Sequence, residues 1–291
     1  MRIKLSLVVT LALSLAAFAQ AAETFTNPVL PAGPDPWVIA YNGTYYYTNT
    51  TGRNLTLWKT RDMADLAHAQ RKVIWTPPPN TAYSKEIWAP ELHRFDNKWF
   101  LYFAADDGQN RNHRLYVLEN DNDDPLSDAW VFRGPITDSS NKWAIDASAF
   151  EANGKRYLLW SGWKGDTNGE QDIYIAQLAT PTRVGSPRVR ISSPHYGWEK
   201  HIDAPGKLNP PNVLINEGPE ILQHGNKIFL VYSASACWTD DYALGMLEAD
   251  ASANLLNPRS WKKFDKPVFE KDPAAGVYGP GHNGFFKSPD G

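Results

Sequence analysis

Short runs of aromatic and β-branched residues recur along the chain, each introduced by a turn-forming glycine or asparagine. Four such runs begin at Gly43, Asn97, Gly154 and Asn226, at intervals of 54, 57 and 72 residues. A fifth run begins at Gly284, 58 residues after Asn226. Each combines a hairpin turn signal with residues that favour strands. The pattern therefore predicts one strand unit repeated four or five times.

Between these runs lie further strand-like segments, and helix signals are poor throughout. The additional segments span residues 114–118, 172–177 and 242–247. No part of the chain combines sustained three-four apolar spacing with caps at both ends. Strand repeats of about 50 to 70 residues are typical of a β-propeller, in which each repeat forms one four-stranded blade. A β-sandwich is the alternative, but it does not normally repeat one motif in this way. We therefore expect an all-β fold, a β-propeller of four or five blades.

The fifth repeat differs from the others because few residues follow it. The chain ends at Gly291, and a full blade needs more strands than the residues after Gly284 can form. Either the N-terminal segment completes the last blade, or the chain is truncated and that blade is incomplete.

Composition narrows the class of protein. The chain has 29 basic and 32 acidic residues, a net charge of −3, and no basic stripe, which argues against a nucleic-acid partner. Its 12 Trp, 13 Tyr and 12 Phe suit strands and sugar binding. A single cysteine, Cys237, excludes an internal disulfide framework.

The N-terminus has the organisation of a signal peptide. Arg2 and Lys4 precede an apolar run at 5–19, and small residues around Ala19 and Ala21 fit a cleavage site. The run is short for a membrane span, which is the alternative. We predict a signal peptide at 1–21, a single catalytic domain at 22–291 and a secreted, extracellular protein with no membrane attachment after cleavage.

Three N-glycosylation sequons lie close together in the first repeat. Their acceptors are Asn42, Asn49 and Asn54. In a eukaryotic host they predict a glycoprotein.

Three carboxylates lie in phase with the repeat. Asp35 and Asp146 each precede a turn glycine, Gly43 or Gly154, by eight residues, and Glu217 precedes Asn226 by nine. In a propeller the strand before the first hairpin of a blade is the innermost one. The three acids are therefore expected to project from innermost strands into one axial pocket. Ordinary turn chemistry is the alternative, since Asp before Pro and Glu before Gly-Pro are common at strand starts.

Converging carboxylates among many aromatic residues point to glycoside hydrolysis. That reaction needs a protonated acid for the leaving group and a carboxylate that activates water or attacks the anomeric carbon. A third acid can keep the pKa of the proton donor high by like-charge repulsion.

Five ordered motifs resemble those of glycoside hydrolase family 43, whose members are five-bladed β-propellers that act on arabinose- and xylose-containing polysaccharides. The matching segments are Asn27 to Leu30 with Asp35-Pro36, Ser84 to Glu91, Ala144 to Asp146, Asn216 to Pro219, and Gly279 to Asn283. They extend from about residue 25 to the C-terminus.

The resemblance implies roles for the three acids. Asp35 would be the general base that activates water, Glu217 the general acid, and Asp146 the group that raises the pKa of Glu217 and orients it. The family inverts the anomeric configuration. Glu220 is a rival for the acid role, but the family motif places the acid immediately before Gly-Pro, as Glu217 is.

Two further residues are candidates for substrate binding. Trp88 lies in the Trp-Ala-Pro motif and would offer an aromatic face to a sugar, unless it is an ordinary core tryptophan. His282 would lie on the innermost strand of the fifth blade. There the resemblance implies a nearby central ion or water, and the ion would be a structural calcium ion. No catalytic cofactor or metal is expected.

The longer matching stretches look most like secreted α-L-arabinofuranosidases of this family. They imply release of terminal L-arabinose from arabinan, arabinoxylan or related plant cell-wall polysaccharides. β-Xylosidase and endo-arabinanase activities remain open within the family. A non-catalytic carbohydrate-binding propeller is a separate alternative, although it does not explain three acids in phase.

Overall fold

The computed structural model describes residues 26–203 and 213–288, so the predicted signal peptide at 1–21 lies outside the described residues. Within those two ranges the chain contains strands and short 3-10 turns but no α-helix. The 3-10 turns are Met63–His68, Asn110–Asn112, Gly197–Glu199, Pro258–Ser260 and Pro273–Ala275. Among these helical turns, none has the length and apolar character that a membrane span requires. The expectation of an all-β fold is confirmed.

The first two sheets are four-stranded antiparallel meanders in chain order. The strands of the first sheet are β1 (Trp37–Tyr41), β2 (Thr44–Thr48), β3 (Leu55–Thr60) and β4 (Gln70–Trp75). Those of the second sheet are β5 (Lys85–Phe95), β6 (Lys98–Asp106), β7 (Arg114–Asn120) and β8 (Val131–Pro135).

The third sheet has nine strands and consists of two meanders joined edge to edge. Its first meander contains β9 (Ala144–Ala152), β10 (Lys155–Trp163), β11 (Glu170–Thr180), β12 (Arg183–Val184) and β13 (Val189–Ser192). Its second meander contains β14 (Leu214–His224), β15 (Lys227–Ala234), β16 (Ala243–Asp250) and β17 (Lys262–Lys263). A short parallel pairing of β11 with β14 at Glu170 and Gln171 joins the two.

The hairpin turns predicted from the repeated motif are present in all four meanders. Tyr41 pairs with Thr44, Phe95 with Lys98, Ala152 with Lys155 and His224 with Lys227, so each turn has two residues. In the first three turns both loop residues have positive φ: Asn42 and Gly43, Asp96 and Asn97, Asn153 and Gly154. Paired positive φ values match the right-handed twist of the flanking strands, which is why Asn and Gly are used there.

The core lies between successive meanders. One buried cluster joins the first and second sheets around Trp99 and Phe103, and the next joins the second sheet to β9–β11 around Tyr102 and Trp160. A third cluster joins β9–β11 to β14–β16 around Tyr232. The first strands of neighbouring meanders also contact one another, β1 with β5, β5 with β9, and β9 with β14. The first strand of each unit is thus the innermost one.

The expected fifth strand after Gly284 is absent from the described part of the chain. Residues 281–288 form no strand, and His282 lies in this irregular segment rather than on an innermost strand. The segment is held against the first sheet by side chains instead of a backbone ladder. The Tyr45 hydroxyl donates to the Lys287 carbonyl over 2.9 Å, and the Tyr45 and Phe286 rings meet edge to face.

Candidate active site

Five residues with left-handed backbone conformations mark the same position in successive repeats. They are Asp35, Ala89, Asp146, Gly218 and His282, with φ between 42° and 58°. Their spacings begin 54, 57 and 72, the same intervals as the hairpin turns, and the last is 64. In β5, β9 and β14 this position coincides with a shift of strand register. Such bulges re-aim side chains beside functional sites.

Asp35, two residues before β1, forms an ion pair with His282. The Nδ1 of His282 lies 3.0 Å from Oδ1 of Asp35. Burial alone would raise the pKa of Asp35, but the charge of His282 and hydrogen bonds from His282 and Thr50 outweigh it and lower that pKa. For His282, burial opposes the charged form, yet Asp35 and Asp146 raise its pKa to about 10. At neutral pH the pair therefore consists of a carboxylate and an imidazolium.

Asp146 lies on β9, is 4% exposed, and contacts the backbone of β14. Its Oδ2 accepts a hydrogen bond of 2.9 Å from the backbone N–H of Gly218. Burial, with a further contribution from the charge of Asp35, raises the pKa of Asp146 to about 6. The contact places Asp146 directly against the residue that follows Glu217.

Glu217 is partly exposed on β14 and receives a hydrogen bond of 2.8 Å on Oε1 from the hydroxyl of Tyr242. Burial, followed by the negative charge of Asp146, raises its pKa to about 8. The side chain is accordingly protonated at neutral pH, whereas Asp35 is ionised. The two carboxyl groups have been separated in pKa by their surroundings, as acid and base catalysts require.

Two glycines allow this close packing. Gly218 has φ +54°, and a Cβ there would lie 3.3 Å from the ring of His282. A Cβ on Gly281 would lie 2.0 Å from the Tyr242 ring. Any side chain at Gly281 would therefore displace Tyr242, and with it the hydrogen bond to Glu217.

Trp88 is tied to the same site through its neighbour in the chain. The hydroxyl of Thr50 donates to Oδ2 of Asp35 and accepts a 2.7 Å hydrogen bond from the backbone N–H of Ala89. The ring of Trp88 is partly exposed and stacks on His113 with centroids 4.1 Å apart. It also packs against the core cluster between the second and third meanders. The side chain thus has features of both a pocket residue and a core residue.

Glu220, the rival to Glu217, belongs to a second and deeper carboxylate pair. It is 4% exposed, and its Oε1 has no hydrogen-bond partner. Burial raises the pKa of Glu220 well above its usual range, and burial with the charge of Glu220 does the same for Glu91. Glu217 is the more accessible of the two and has the hydroxyl partner.

His282 is poorly suited to bind calcium directly. Its Nδ1 is engaged by Asp35, the doubly protonated ring offers no lone pair, and calcium prefers oxygen ligands. Oε1 of Glu220 and Oδ1 of Asn283, the residue after His282, are buried without hydrogen-bond partners and are oxygen ligands of the type that calcium prefers.

Sequence reasoning did not identify Thr50, Tyr242 or Ser233 as site residues. Ser233 accepts a 2.7 Å hydrogen bond from the backbone N–H of His282. Tyr242 lies at the edge of a predicted strand segment, and nothing in its spacing relates it to Glu217. The hairpin register and the chain at 279–283 place these partners beside the three acids and His282.

Two carboxyl groups whose pKa values are displaced in opposite directions within one site are the catalytic groups that glycoside hydrolysis requires. The family model described as "Glycosyl hydrolases family 43" matches residues 25–291. The chain belongs to this family.

Several relatives share most of the chain. An "Extracellular exo-alpha-(1->5)-L-arabinofuranosidase" from Streptomyces avermitilis is 39% identical over 94% of this chain and 55% of its own length. A protein of the same description from Streptomyces chartreusis is 35% identical over 92% of this chain and 79% of its own. The crystal structure of an α-L-arabinofuranosidase from Lactobacillus brevis has a TM-score of 0.84 and 36% identity, covering 92% and 83% of the two chains. The chain thus spans about half the length of the Streptomyces avermitilis protein.

Proposed function

We propose that this protein is an inverting, exo-acting α-L-arabinofuranosidase. Its substrate would be arabinan or another arabinose-decorated plant cell-wall polysaccharide, from which it releases terminal L-arabinose. The observation that carries the proposal is the opposite pKa displacement of two carboxyl groups in one site, Asp35 lowered and Glu217 raised to about 8. The arabinofuranosidase names of the similar Streptomyces and Lactobacillus proteins support the choice of sugar.

Each acid has a distinct role in this reaction. Glu217 donates its proton to the glycosidic oxygen, which allows the leaving group to depart. Asp35, held ionised by His282, removes a proton from the attacking water. Asp146 keeps the pKa of Glu217 high through its negative charge and orients β14 through Gly218. Inversion follows if a single water attacks from the face opposite Glu217.

Substrate binding involves Trp88 and His282. A sugar ring would pack its apolar face against the partly exposed Trp88, whose backbone neighbour is linked to Asp35 through Thr50. His282 would contribute a positive charge at the base of the pocket. The structural calcium ion predicted near His282 stays a prediction; its ligands would be oxygen atoms such as those of Glu220 and Asn283, not the imidazole.

The chain is proposed to form one domain, a five-bladed β-propeller at 22–291. Four meanders in sequence and five left-handed positions in phase with them support this arrangement. The irregular segment at 281–288 would supply the fifth position, packed against the first sheet.

We further propose secretion after cleavage of residues 1–21, in keeping with the extracellular description of the Streptomyces relatives. Glycosylation in a eukaryotic host would be restricted to Asn42 and Asn54. Asn49 is 7% exposed and its amide donates to the Thr50 carbonyl, so it is inaccessible in the folded protein.

The direct test is the digestion of linear and branched arabinan with products separated by chain length. Monomeric arabinose from the first time point supports exo action, and NMR of the fresh product should show the inverted anomer. A ladder of oligomers would assign an endo-arabinanase instead. Release of xylose from xylo-oligosaccharides alone would assign a β-xylosidase. Sugar binding without any product would indicate a non-catalytic module. Glu151→Gln, which changes an exposed glutamate on β9, serves as the matched active control.

A further inference from the structure

Three potential metal ligands meet at one end of the second sheet, outside the carboxylate site. They are Glu86 near the start of β5, Asp106 at the end of β6 and His113 immediately before β7. The pairings of Lys85 with Asp106 and of Ala105 with Arg114 bring these strand ends together. One ligand atom from each side chain lies within 4.8 Å of the other two.

Each ring nitrogen of His113 faces a backbone carbonyl, and one of the two neutral tautomers is that of a metal-binding histidine. Its ring is fully buried, and its Nε2 lies 3.2 Å from the backbone carbonyl of Glu86. When Nε2–H donates to this carbonyl, the lone pair resides on Nδ1. A metal-bound histidine almost always donates its other N–H to such an acceptor. Nδ1 lies 3.2 Å from Oδ2 of Asp106 and 3.2 Å from the carbonyl of Asn110.

The two carboxylates leave buried oxygens unused. Asp106 is 0% exposed, its Oδ1 accepts from the N–H of Gly108, and its Oδ2 accepts no hydrogen bond. Oε2 of Glu86 is likewise buried without a hydrogen-bond partner. A buried carboxylate oxygen without a partner is costly, and the adjacent Glu86 and Asp106 can be compensated either by a shared cation or by a shared proton.

The distance between Nδ1 of His113 and Oδ2 of Asp106 suits a small divalent ion. With ligand bonds of about 2.0–2.1 Å, two ligand atoms 3.2 Å apart subtend an angle of about 100° at the metal, close to tetrahedral. One imidazole nitrogen and two carboxylate oxygens form a borderline donor set with a fourth position for water. We propose that Glu86, Asp106 and His113 form a binding site for a divalent metal ion such as Zn²⁺.

The site would act on the sugar pocket through Trp88. The Trp88 ring stacks on His113 at 4.1 Å with an interplanar angle of 25°. A metal that fixes His113 therefore also fixes this ring. The rival interpretation is a proton in place of the metal, with His113 an imidazolium that donates to Asp106 and to the carbonyls of Asn110 and Glu86.

The test is zinc binding by the full chain after dialysis against a chelator. We expect isothermal titration to show one site and Co²⁺ to give the visible absorption of a four-coordinate site. Tryptophan fluorescence should change because Trp88 and Trp143 both contact His113. Asp106→Asn and His113→Gln should each weaken zinc binding at least tenfold. Glu86→Gln, at a partly exposed position, provides a third variant that is less disruptive to folding. His68→Gln is the matched control, because it removes an exposed histidine whose Nδ1 lies 2.5 Å from Oδ1 of Asp65. This variant should leave zinc binding unchanged.

Two results would overturn the proposal. The first is a zinc titration in which the dialysed wild type binds no zinc, or in which His68→Gln loses binding while Glu86→Gln retains it. The second is a nitrogen NMR spectrum in which both ring nitrogens of His113 stay protonated with zinc present, which would establish the proton in place of the metal.

Discussion

The Nδ1 atom of His282 lies 3.0 Å from Oδ1 of Asp35 and so connects the irregular C-terminal segment with the residue two before β1. The backbone N–H of the same histidine is bound by Ser233 on β15. His282 therefore joins the first and fourth meanders at the site, through its ring and its backbone N–H respectively. Its charge also lowers the pKa values of Asp146 and Glu217, so it influences the ionisation of all three acids.

Replacing His282 should move the whole pH profile of the enzyme toward alkaline values. Without the imidazolium, burial dominates at Asp35 and raises its pKa. The acid limb of the kcat/KM profile therefore moves to higher pH. The pKa of Glu217 rises as well, so the basic limb moves in the same direction. The measurement is kcat/KM against pH for His282→Gln on 4-nitrophenyl α-L-arabinofuranoside, with His68→Gln as the exposed control. Unchanged limbs would refute the proposed coupling.

The acid and base can be separated by leaving-group dependence. Glu217→Gln should reduce turnover of arabinan by about 10²–10⁴-fold, because the leaving group, the sugar oxygen of the remaining arabinan chain, needs a proton. The loss should be much smaller with a dinitrophenyl leaving group, which departs without one. Asp35→Asn should lose activity on both substrates alike, since water activation is needed in each case. Equal losses for the two variants on both substrates would contradict this division of roles, and Glu151→Gln controls for loss of a surface carboxylate.

Tyr242→Phe tests the hydroxyl bound to Glu217 without changing the packing of the ring. The hydrogen bond stabilises the ionised form of Glu217, so its loss should raise that pKa further. The basic limb of kcat/KM should consequently move to higher pH than in wild type, where it reflects a pKa of about 8. The acid limb should stay in place because Tyr242 does not contact Asp35. A fall in activity with both limbs fixed would mean that the hydroxyl serves only the fold.

Much of the fold could be predicted because its signals are local. Asn42-Gly43 and its counterparts dictate two-residue turns, and the aromatic runs after them pair at once with the preceding strand. The in-phase spacing of Asp35, Asp146 and Glu217 then follows from repetition of the unit. The prediction of a strand at Gly284 was wrong. Phe286 packs edge to face on Tyr45, and the Tyr45 hydroxyl donates to the Lys287 carbonyl, where a strand would have formed a backbone ladder.

The partners of the three acids could not be predicted from the sequence. Thr50 reaches Asp35 from the loop after β2, and Tyr242 reaches Glu217 from the turn before β16. These contacts depend on strand register and on glycines that permit close approach, not on any spacing within the chain. The pairing of Asp35 with His282 joins the two ends of the described chain, so only the folded arrangement discloses it.

A buried ion pair behind Glu217 gives a prediction about stability. Glu199, whose side chain is 0% exposed, receives hydrogen bonds from Lys263 at 2.5 Å, Tyr232 at 2.8 Å and Asn216 at 3.0 Å. Asn216 immediately precedes Glu217, so this network anchors the strand that carries the proposed acid. Lys263→Met should destabilise the protein by about 3–5 kcal/mol, because it leaves a buried carboxylate without its cation. Chemical denaturation measures the loss, and Lys262→Met, at an exposed neighbouring position, should cost little.

The pH dependence distinguishes loss of this charge pair from loss of packing. Burial would raise the pKa of Glu199, but Lys263 and the surrounding hydrogen bonds lower it. A lowered folded pKa means that the pair stabilises the protein above the unfolded value of about 4.3, and that this contribution disappears as pH falls through the folded pKa. In Lys263→Met burial prevails and the pKa of Glu199 rises, so the penalty should be largest at neutral pH and shrink on acidification. Glu199→Gln in the Lys263→Met background should recover part of the stability at pH 7. A penalty that is constant between pH 7 and pH 4 would assign the effect to the lost lysine methylenes rather than to the charge.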